Sequence, residues 1–512
     1  MATSKSAKKT AKKKTATKKT GGTKSSKRAG AAVSRKSAAA KAARPKRTTK
    51  AAKKPARKGG ANLKGDLRVR MYRVGFGDFF LLTVPTKTGP QHILIDCGVH
   101  AGNIGSMKAC VQDLVKVTER KLALVIVTHY HADHLSGFAS NFDDFCQFQV
   151  GMVWITNRLD PNHKGAANFK GQIRSLAGQL QLRLGARADE GAKQALAKVA
   201  NALGFELGAK DKEGSNEKAL RLVTKEFKNK PPVKYYQGGD TPELPAALEG
   251  AITAELLAPA PLDSGTEFAS PDNAAAQYLA AAAEDDLPSS DPLLPFEKDW
   301  PATAGDYPPE AFKGYLPATP KGLEQKLQSA QPDVLLAMAD AVDGTLNNQS
   351  LVILFTCQGK KLLFVGDAQW GNWSYWLYGK KVSGKDPGIK ETAKSILGSI
   401  DFFKVGHHGS TNANPIPAVA ALNKDCVSMC STESSDAYPG KKRPYGNILK
   451  KTEVPRILLM DEMEKKTTDR LVRSDWISVL DVKASPEAKQ QLAELPENFS
   501  AGDLYIDYVF PN

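Results

Sequence analysis

The stretch His129-Tyr130-His131-Ala132-Asp133-His134 follows directly on the apolar run Leu122-Ala-Leu-Val-Ile-Val-Thr128. Such a continuous apolar run is typical of a buried parallel strand, and the carboxyl end of that kind of strand is where α/β sheets place ligand-binding groups. Imidazole and carboxylate groups bind zinc, manganese or iron. Three histidines and one aspartate within six residues exceed what one four-coordinate ion takes from one loop. The stretch therefore predicts an α/β fold with a site for two metal ions at the end of this strand.

The pattern His-x-His-x-Asp-His resembles the signature of the metallo-β-lactamase-fold hydrolases, and the resemblance covers most of residues 66–510. It implies a four-layer αββα sandwich and two divalent ions, Zn²⁺ first, with Mn²⁺ or Fe as the alternatives. In that superfamily the first two histidines bind one ion, and the aspartate and the last histidine bind the other. The resemblance therefore implies that His129 and His131 bind the first ion, and that Asp133 and His134 bind the second.

Two further aspartates end apolar runs. Asp96 lies near the end of the predicted strand 91–98, and Asp367 follows the run 361–366. By the resemblance, Asp96 orients a ligand histidine, because an imidazole ligand needs its tautomer fixed by a partner. Asp367 matches the carboxylate that bridges the two ions, and an anionic bridge is what two neighbouring dications require.

A double histidine, His407 and His408, follows the apolar run 401–405. We expect His407, the first after the strand, to complete the second metal site, and His408 to face the substrate. Superfamily members commonly supply one more histidine between these motifs, and the only histidine between His134 and His407 is His163. His163 is therefore a candidate metal ligand, and the alternative is an ordinary loop histidine.

Five residues are candidates for a direct part in catalysis. Asp133 and Asp96 come from the metal motifs. His408 and Ser410 follow the apolar run 401–405, and Asn348 precedes the apolar run 351–355. These three are placed to donate hydrogen bonds to the oxyanion that develops in a hydrolytic transition state.

Six short motifs together resemble the hydrolase domain of the ComEC family of DNA-uptake competence proteins. That family joins the domain to a membrane channel, whereas no apolar run here has the length that spans a bilayer. A role in DNA import is therefore not implied, and no membrane association is expected. Residues 443–447 are Arg-Pro-Tyr-Gly-Asn, where the family tends to have Tyr-Gly-His-Pro. The motifs are Val74-Gly-Phe-Gly-Asp78, Leu94-Ile-Asp-Cys-Gly98, His129 to His134, Asn347-Asn-Gln-Ser-Leu351, Phe364-Val-Gly-Asp367 and Lys404-Val-Gly-His-His-Gly-Ser410.

The positive charge of the chain is concentrated at its N-terminus. The net charge is +18, and residues 1–60 contain 22 Lys or Arg and no Asp or Glu, which leaves 50 basic and 54 acidic residues elsewhere. A segment with so few large apolar side chains cannot offset its ordering entropy, so residues 1–63 are predicted to be disordered. Its lysines would neutralise phosphates without reading bases, which predicts nucleic-acid binding. The composition resembles the tails of linker histones and histone-like bacterial proteins. The alternative is a solubilising tail or an anchor to another polyanion.

The organisation predicted for the chain has four parts. Residues 1–63 form the tail, residues 64–163 and 346–512 form the two halves of the hydrolase domain, and residues 164–345 form a helical and then Pro/Ala-rich insertion. The runs at 456–460 and 475–480 are expected to close the sheet. Six scattered cysteines in apolar surroundings favour reduced core thiols. Since no apolar segment follows the N-terminal lysines, we expect a cytoplasmic protein, with association with the nucleoid as an option.

The function predicted is that of a soluble dinuclear-metal hydrolase, a phosphodiesterase or nuclease that uses a metal-activated water, with the basic tail binding nucleic acid. One alternative keeps the metals and changes the substrate to a small ester, lactone or nucleotide. The other alternative is a DNA-binding scaffold with a structural metal site. Metal-binding groups at four separate predicted strand ends disfavour the scaffold.

Overall fold

The structure is a computed structural model that describes residues 63–100, 105–185, 190–203, 214–262, 332–379, 388–433, 454–475, 490 and 492–511. Several predictions fall outside the described residues. They are the tail up to residue 62, most of the Pro/Ala-rich part of the insertion, the segment 443–447, and the run at 475–480 beyond its first residue.

The described chain forms strands and helices in an interleaved order. The strands are β1 (Arg68–Tyr72), β2 (Phe79–Val84), β3 (Gln91–Cys97), β4 (Lys121–Val127), β5 (Gln149–Thr156), β6 (Val233–Tyr236), β7 (Ile252–Ala258), β8 (Val352–Cys357), β9 (Lys360–Phe364), β10 (Phe402–Lys404), β11 (Val427–Cys430), β12 (Leu471–Arg473), β13 (Phe499–Ala501) and β14 (Tyr505–Val509). The helices are α1 (Met107–Thr118), α2 (Ala132–Ser140), α3 (Phe142–Phe145), α4 (Lys164–Leu184), α5 (Glu190–Leu203), α6 (Ser215–Arg221), α7 (Pro332–Asn347), α8 (Trp370–Tyr378), α9 (Glu391–Leu397), α10 (Ile416–Ala421) and α11 (Ile457–Lys466).

The strands of the described residues form two sheets. The first has the order β13-β14-β1-β2-β3-β4-β5-β6, and the second has the order β12-β11-β10-β9-β8-β7. Strands β3 to β6 run parallel to one another, as do β9 to β12. The carboxyl ends of these neighbouring parallel strands therefore lie side by side at one end of each sheet. Strands β6 and β7, which lie within the predicted insertion, each form one of the two outermost strands of their sheet.

The apolar side chains of β4 show how the layers stack. Val125 and Val127 pack with helices α1, α2, α4, α5 and α7 on the outer face of the first sheet. Leu124 and Ile126 face the second sheet, where they join residues such as Phe364. The outer face of the second sheet packs on helices α8 to α11. The layers therefore follow the order helix, sheet, sheet, helix, which agrees with the predicted four-layer arrangement and explains why β4 is apolar on both faces.

One predicted strand is wrong. Residues 456–460 do not extend a sheet, because Arg456 is the N-cap of α11 and residues 457–460 form its first turn. The apolar residues Leu459, Met460 and Met463 recur at helical spacing and pack under the second sheet. A short apolar run cannot be told from a buried helical turn by its hydrophobicity alone. Strand β12 follows this helix and lies next to β11.

Two further features of the described chain concern its cysteines and its helices. All six cysteines are described, and none of them forms a disulfide. Among the described residues, no helix is both long enough and apolar enough to cross a membrane.

Candidate metal centre

Four strand ends bring the predicted metal-binding residues together. Asp96 lies near the end of β3, and the stretch 129–134 follows β4. Asp367 follows β9, and the pair His407 and His408 follows β10. The histidine and aspartate side chains among these residues are all buried except that of His407, which is partly exposed. The two parallel parts of the sandwich therefore place their strand ends around one buried cluster of histidines and aspartates.

Asp96 holds the loop that begins the cluster. Its carboxylate accepts hydrogen bonds from Thr128 N at 2.8 Å and Thr128 Oγ1 at 2.7 Å. Asp96 Oδ2 also lies 2.7 Å from His134 Nδ1. Because the carboxylate accepts, His134 carries a proton on Nδ1, which leaves Nε2 as the ring nitrogen that a metal could bind. This is the contact expected of a residue that orients a ligand histidine. Asp96 has a φ of +54°, a left-handed conformation that marks a constrained functional position.

Glycine at position 98 permits the close approach of this loop. A Cβ on Gly98 would overlap the backbone of Asp133 and His134. The strand end of β3 can therefore lie directly against the first turn of α2, which carries those two residues.

One group of candidate ligands consists of Asp133, His134, Asp367 and His408. Asp367 Oδ2 lies 3.0 Å from His134 Nε2 and 3.5 Å from His408 Nε2, and His408 Nε2 lies 3.3 Å from Asp133 Oδ2. Ligand atoms that share a tetrahedral ion, with bonds of about 2.0–2.2 Å, lie about 3.3–3.6 Å apart. The group therefore has the spacing of the ligands of one ion.

A second group consists of His129, His131 and Asp133. His129 Nε2 and His131 Nδ1 lie 3.1 Å apart. Burial and the neighbouring histidines hold the pKa of His129 well below its usual range, and burial lowers the pKa of His131 to about 4. Both imidazoles are therefore neutral at pH 7 and have a lone pair for a metal. The two groups share Asp133, as a site for two neighbouring ions would.

Unpaired buried polar atoms test whether metal fits this cluster. A buried polar atom without a partner costs about 1–3 kcal/mol, so native structures keep few of them. Within the described part of the chain, four such atoms have no hydrogen-bond partner and belong to the cluster or touch it: His131 Nε2, His134 Nε2, Asp367 Oδ2 and Asp78 Oδ1. Two of them, His134 Nε2 and Asp367 Oδ2, face each other in the first group. An imidazole and a carboxylate atom placed like this pair fit divalent metal. His131 Nε2, by contrast, lies 3.7 Å from Asp343 Oδ1, and it is Nδ1 of that ring that faces His129.

Lys404 and Asp78 are functional residues to which the sequence analysis gave no role. The buried Lys404 ammonium pairs with Asp78 and lies 3.3 Å from Asp367 Oδ1. Burial alone would lower the pKa of Lys404, but the two carboxylates raise it above its usual value. The lysine therefore holds one oxygen of Asp367 and leaves Oδ2 directed at the histidines. Both residues lie in the motifs quoted for the family resemblance, which was the available signal.

The structure reverses the expected positions of His407 and His408. His408, expected to face substrate, is buried with its Nδ1 2.8 Å from Ser431 O and its Nε2 among the carboxylates. His407, expected to be the ligand, is 16% exposed and lies 3.8 Å from Asp367 Oδ2, with its Nδ1 3.2 Å from Gln369 Nε2. Both histidines have left-handed φ angles, of 44° and 51°. The loop therefore turns sharply after β10, and the second histidine points inward.

The structure does not bring His163, the further candidate ligand, into the cluster. The residue is exposed and precedes α4, where its Nδ1 accepts a hydrogen bond from Ala166 N at 3.2 Å. His163 therefore caps a helix and is not a member of the buried cluster.

We expect His163→Ala to retain the metal content and the hydrolytic rate of the unmodified protein, because only a helix cap is lost. Metal analysis and steady-state kinetics check this. Loss of one bound ion in the variant would return His163 to the metal shell.

Ser410 and Asn348 both engage neighbouring protein groups. Ser410 Oγ donates to Asn412 Oδ1 at 2.7 Å, and Asn348 Oδ1 accepts from Asn372 N at 3.2 Å at the start of α8. These contacts fix the loops beside the cluster. The role of the two side chains in binding an oxyanion stays a prediction.

Two asparagines from the predicted insertion support the cluster. Asn201 in α5 accepts from Ala132 N at 2.9 Å and donates to Asp133 Oδ1 at 3.2 Å. Asn216 in α6 donates to Tyr130 O at 2.7 Å. The insertion therefore holds the metal loop in place from outside the sheet. No local motif marks either asparagine, so sequence reasoning could not find them.

We expect Asp96→Asn to weaken metal binding by about 10–100-fold, as is usual when the partner of a ligand histidine is changed. The carboxamide can accept only through one oxygen, so the contacts to Thr128 and His134 compete. Competition with a metallochromic chelator measures the affinity. An unchanged affinity would show that Asp96 does not orient His134.

Residues 73–140 match the family model of the Metallo-beta-lactamase superfamily. The matched segment contains Asp78, Asp96 and the whole stretch 129–134. No curated protein matches the sequence. The narrower resemblance to the ComEC family stays a prediction. This match, together with the buried histidine and aspartate cluster that can bind divalent metal, indicates a metal-dependent hydrolase.

Proposed function

We propose that this protein is a dinuclear metal-dependent phosphodiesterase that acts on nucleic acid. The observation that carries the proposal is the pair of candidate ligand groups, which share Asp133 and lie beside Asp367. Two adjacent dications, with Zn²⁺ as the first choice, suit the in-line displacement at a phosphodiester. Bound here, they would polarise a phosphoryl oxygen and lower the pKa of a water from about 16 towards about 7.

The chain's own residues would fix the geometry of this reaction. Lys404 holds Asp367 Oδ1, so Oδ2 stays between His134 and His408. His407 is the partly exposed histidine beside the buried cluster, and burial lowers its pKa. The neutral imidazole would therefore donate a hydrogen bond from Nε2 to a phosphoryl oxygen while Gln369 faces Nδ1.

The charge of the N-terminal segment supports nucleic acid as the substrate. Its 22 Lys or Arg side chains stand in a chain whose other residues are slightly acidic overall. Binding through such a segment would release counterions, so the affinity would fall steeply as salt rises while the chemistry at the metals would not. The segment would raise the local concentration of substrate without choosing a sequence.

The test separates chemistry from binding with two substrates. The full chain is assayed on bis(p-nitrophenyl) phosphate, which is too small to engage the basic segment, and on single-stranded and plasmid DNA at rising salt. His131→Ala is the control in each assay. We expect both substrates to be cleaved only by the unmodified protein, and only DNA cleavage to weaken with salt.

Other outcomes would redirect the proposal. If the protein binds metal and cleaves neither substrate, it is not a phosphodiesterase, and small esters and lactones become the next substrates to assay. If the small diester is cleaved and DNA is not, the chemistry stands and nucleic acid is the wrong substrate. Removal of residues 1–62 should then leave the rate on the small diester unchanged.

A further inference from the structure

The first ion would bind at the second candidate group, which contains His129, His131 and Asp133 and lacks the third histidine that the superfamily resemblance leads one to expect. His129 Nε2 and His131 Nδ1 face one point, whereas His163 is exposed at the start of α4. Another side chain reaches the same place from the last residue of α7. The fully buried Asn347 places its Oδ1 2.8 Å from His131 Nδ1.

Three polar atoms converge at this place. His131 Nδ1 has His129 Nε2 at 3.1 Å on one side and Asn347 Oδ1 at 2.8 Å on the other. These are hydrogen-bond distances, shorter than the separation of about 3.3–3.6 Å between ligand atoms of one tetrahedral ion, so the three side chains would move apart by a few tenths of an ångström around a metal that replaces their shared proton. Oxygen atoms of carboxamides are accepted metal ligands, harder than imidazole. We propose that Asn347 Oδ1 is a further side-chain ligand of the first ion, beside His129, His131 and the shared Asp133, in the place of a third histidine.

Asp343 fixes which atom of the carboxamide faces the ion. Asn347 Nδ2 donates to Asp343 Oδ2 at 3.2 Å, one helical turn earlier in α7. A carboxylate accepts and does not donate, so the amide nitrogen must face Asp343 and the oxygen must face His131. Asp343 Oδ1 lies 3.7 Å from His131 Nε2, on the far side of that ring. Asp343 is therefore a positioning residue for both Asn347 and His131.

The assignment rests on the proposed dinuclear site and makes its two halves unequal. Beside the shared Asp133, the first ion would have two neutral imidazoles and a neutral carboxamide, whereas the second would have a further carboxylate, Asp367, with His134 and His408. Because anionic ligands hold a dication more strongly, the first ion should dissociate before the second. A chelator titration of the full chain should therefore show two separate steps.

The experiment loads the full chain with Co²⁺ and titrates it with a chelator, following bound metal and the ligand-field absorption. Asn347→Ala is expected to lower the affinity for the first ion by tenfold or more and to leave the affinity for the second unchanged. It should also alter the absorption spectrum of Co²⁺ at the first position. The exchanged pair Asn347→Asp with Asp343→Asn keeps the contact between the two side chains and should bind the first ion at least as tightly. Asp340→Asn, an exposed change on the same helix, is the matched control and should alter nothing.

The outcomes separate this inference from the function that it rests on. If the unmodified protein does not bind two ions, the dinuclear proposal fails. If it binds two and Asn347→Ala binds both with an unchanged spectrum, the assignment of Asn347 is overturned and the dinuclear site stands. A lower affinity for the first ion with an unchanged Co²⁺ spectrum would also overturn the assignment, since Asn347 would then only orient His131. If Asn347→Ala does not fold, loss of the first ion from the exchanged pair overturns the assignment.

Discussion

Asp367→Ala is expected to lower the hydrolytic rate of the protein by about a thousandfold or more. Metal ions at such sites stabilise the transition state by several kcal/mol, and each 1.36 kcal/mol is a factor of ten in rate. The carboxylate lies among His134, His407 and His408, with Oδ2 within 3.8 Å of a ring nitrogen of each. Removing it takes away the anion between the two candidate ligand groups. We expect the number of bound ions to fall together with the rate.

The measurement is kcat on a small diester, with metal analysis of the same sample. Asp425→Ala is the matched control, because Asp425 is exposed before β11, at the opposite end of that strand from the cluster. A variant that loses its rate and keeps both ions would show that Asp367 acts on the substrate and is not a metal bridge. A variant that keeps its rate would contradict the site.

Lys404→Met is expected to destabilise the metal-free protein by about 3–5 kcal/mol, the usual cost of removing one partner of a buried ion pair. The Lys404 side chain is 1% exposed, and its partners Asp78 and Asp367 are 2% and 0% exposed. Without the ammonium, two carboxylates would share a buried site with no compensating cation. Methionine has a similar volume, so the effect would report charge and not a cavity.

Urea denaturation of the two metal-free proteins measures the difference in the free energy of unfolding. Lys394→Met is the control, because Lys394 pairs with Glu391 on an exposed helix face, where a pair contributes at most about 1 kcal/mol. If Lys404→Met costs no more than this control, the buried pair does not stabilise the fold. Added metal should recover part of the loss, since bound cations would neutralise Asp367.

The sequence predicted the parts of this protein whose signal is local. The apolar run of β4 and the six residues after it are contiguous, so their period and chemistry identified both the strand and its site. Asp96 and Asp367 each follow a run that is apolar for the same reason, burial between two layers. Such strand ends can be recognised in a sequence because an apolar run is followed directly by polar residues.

The remaining parts depend on distances that no local pattern contains. Lys404 meets Asp78 across the sandwich, and Asn201 meets Asp133 from a helix in the predicted insertion. Two left-handed backbone angles decide which of His407 and His408 points inward, and these angles cannot be predicted from the residue types. Such positions favour glycine, so their occupation by histidine is itself a mark of function.

We expect this cluster to bind two metal ions that the chemistry requires. The most direct measurement is the metal content of the full chain, purified without chelator, compared with that of His131→Ala. The rate on a small diester is measured on the same protein before chelation, after chelation and after metal is added back. We predict about two divalent ions per chain, a rate lost on chelation and restored by metal, and fewer ions in the variant. A chain that binds no metal, or one whose rate survives complete removal of metal, would contradict the account.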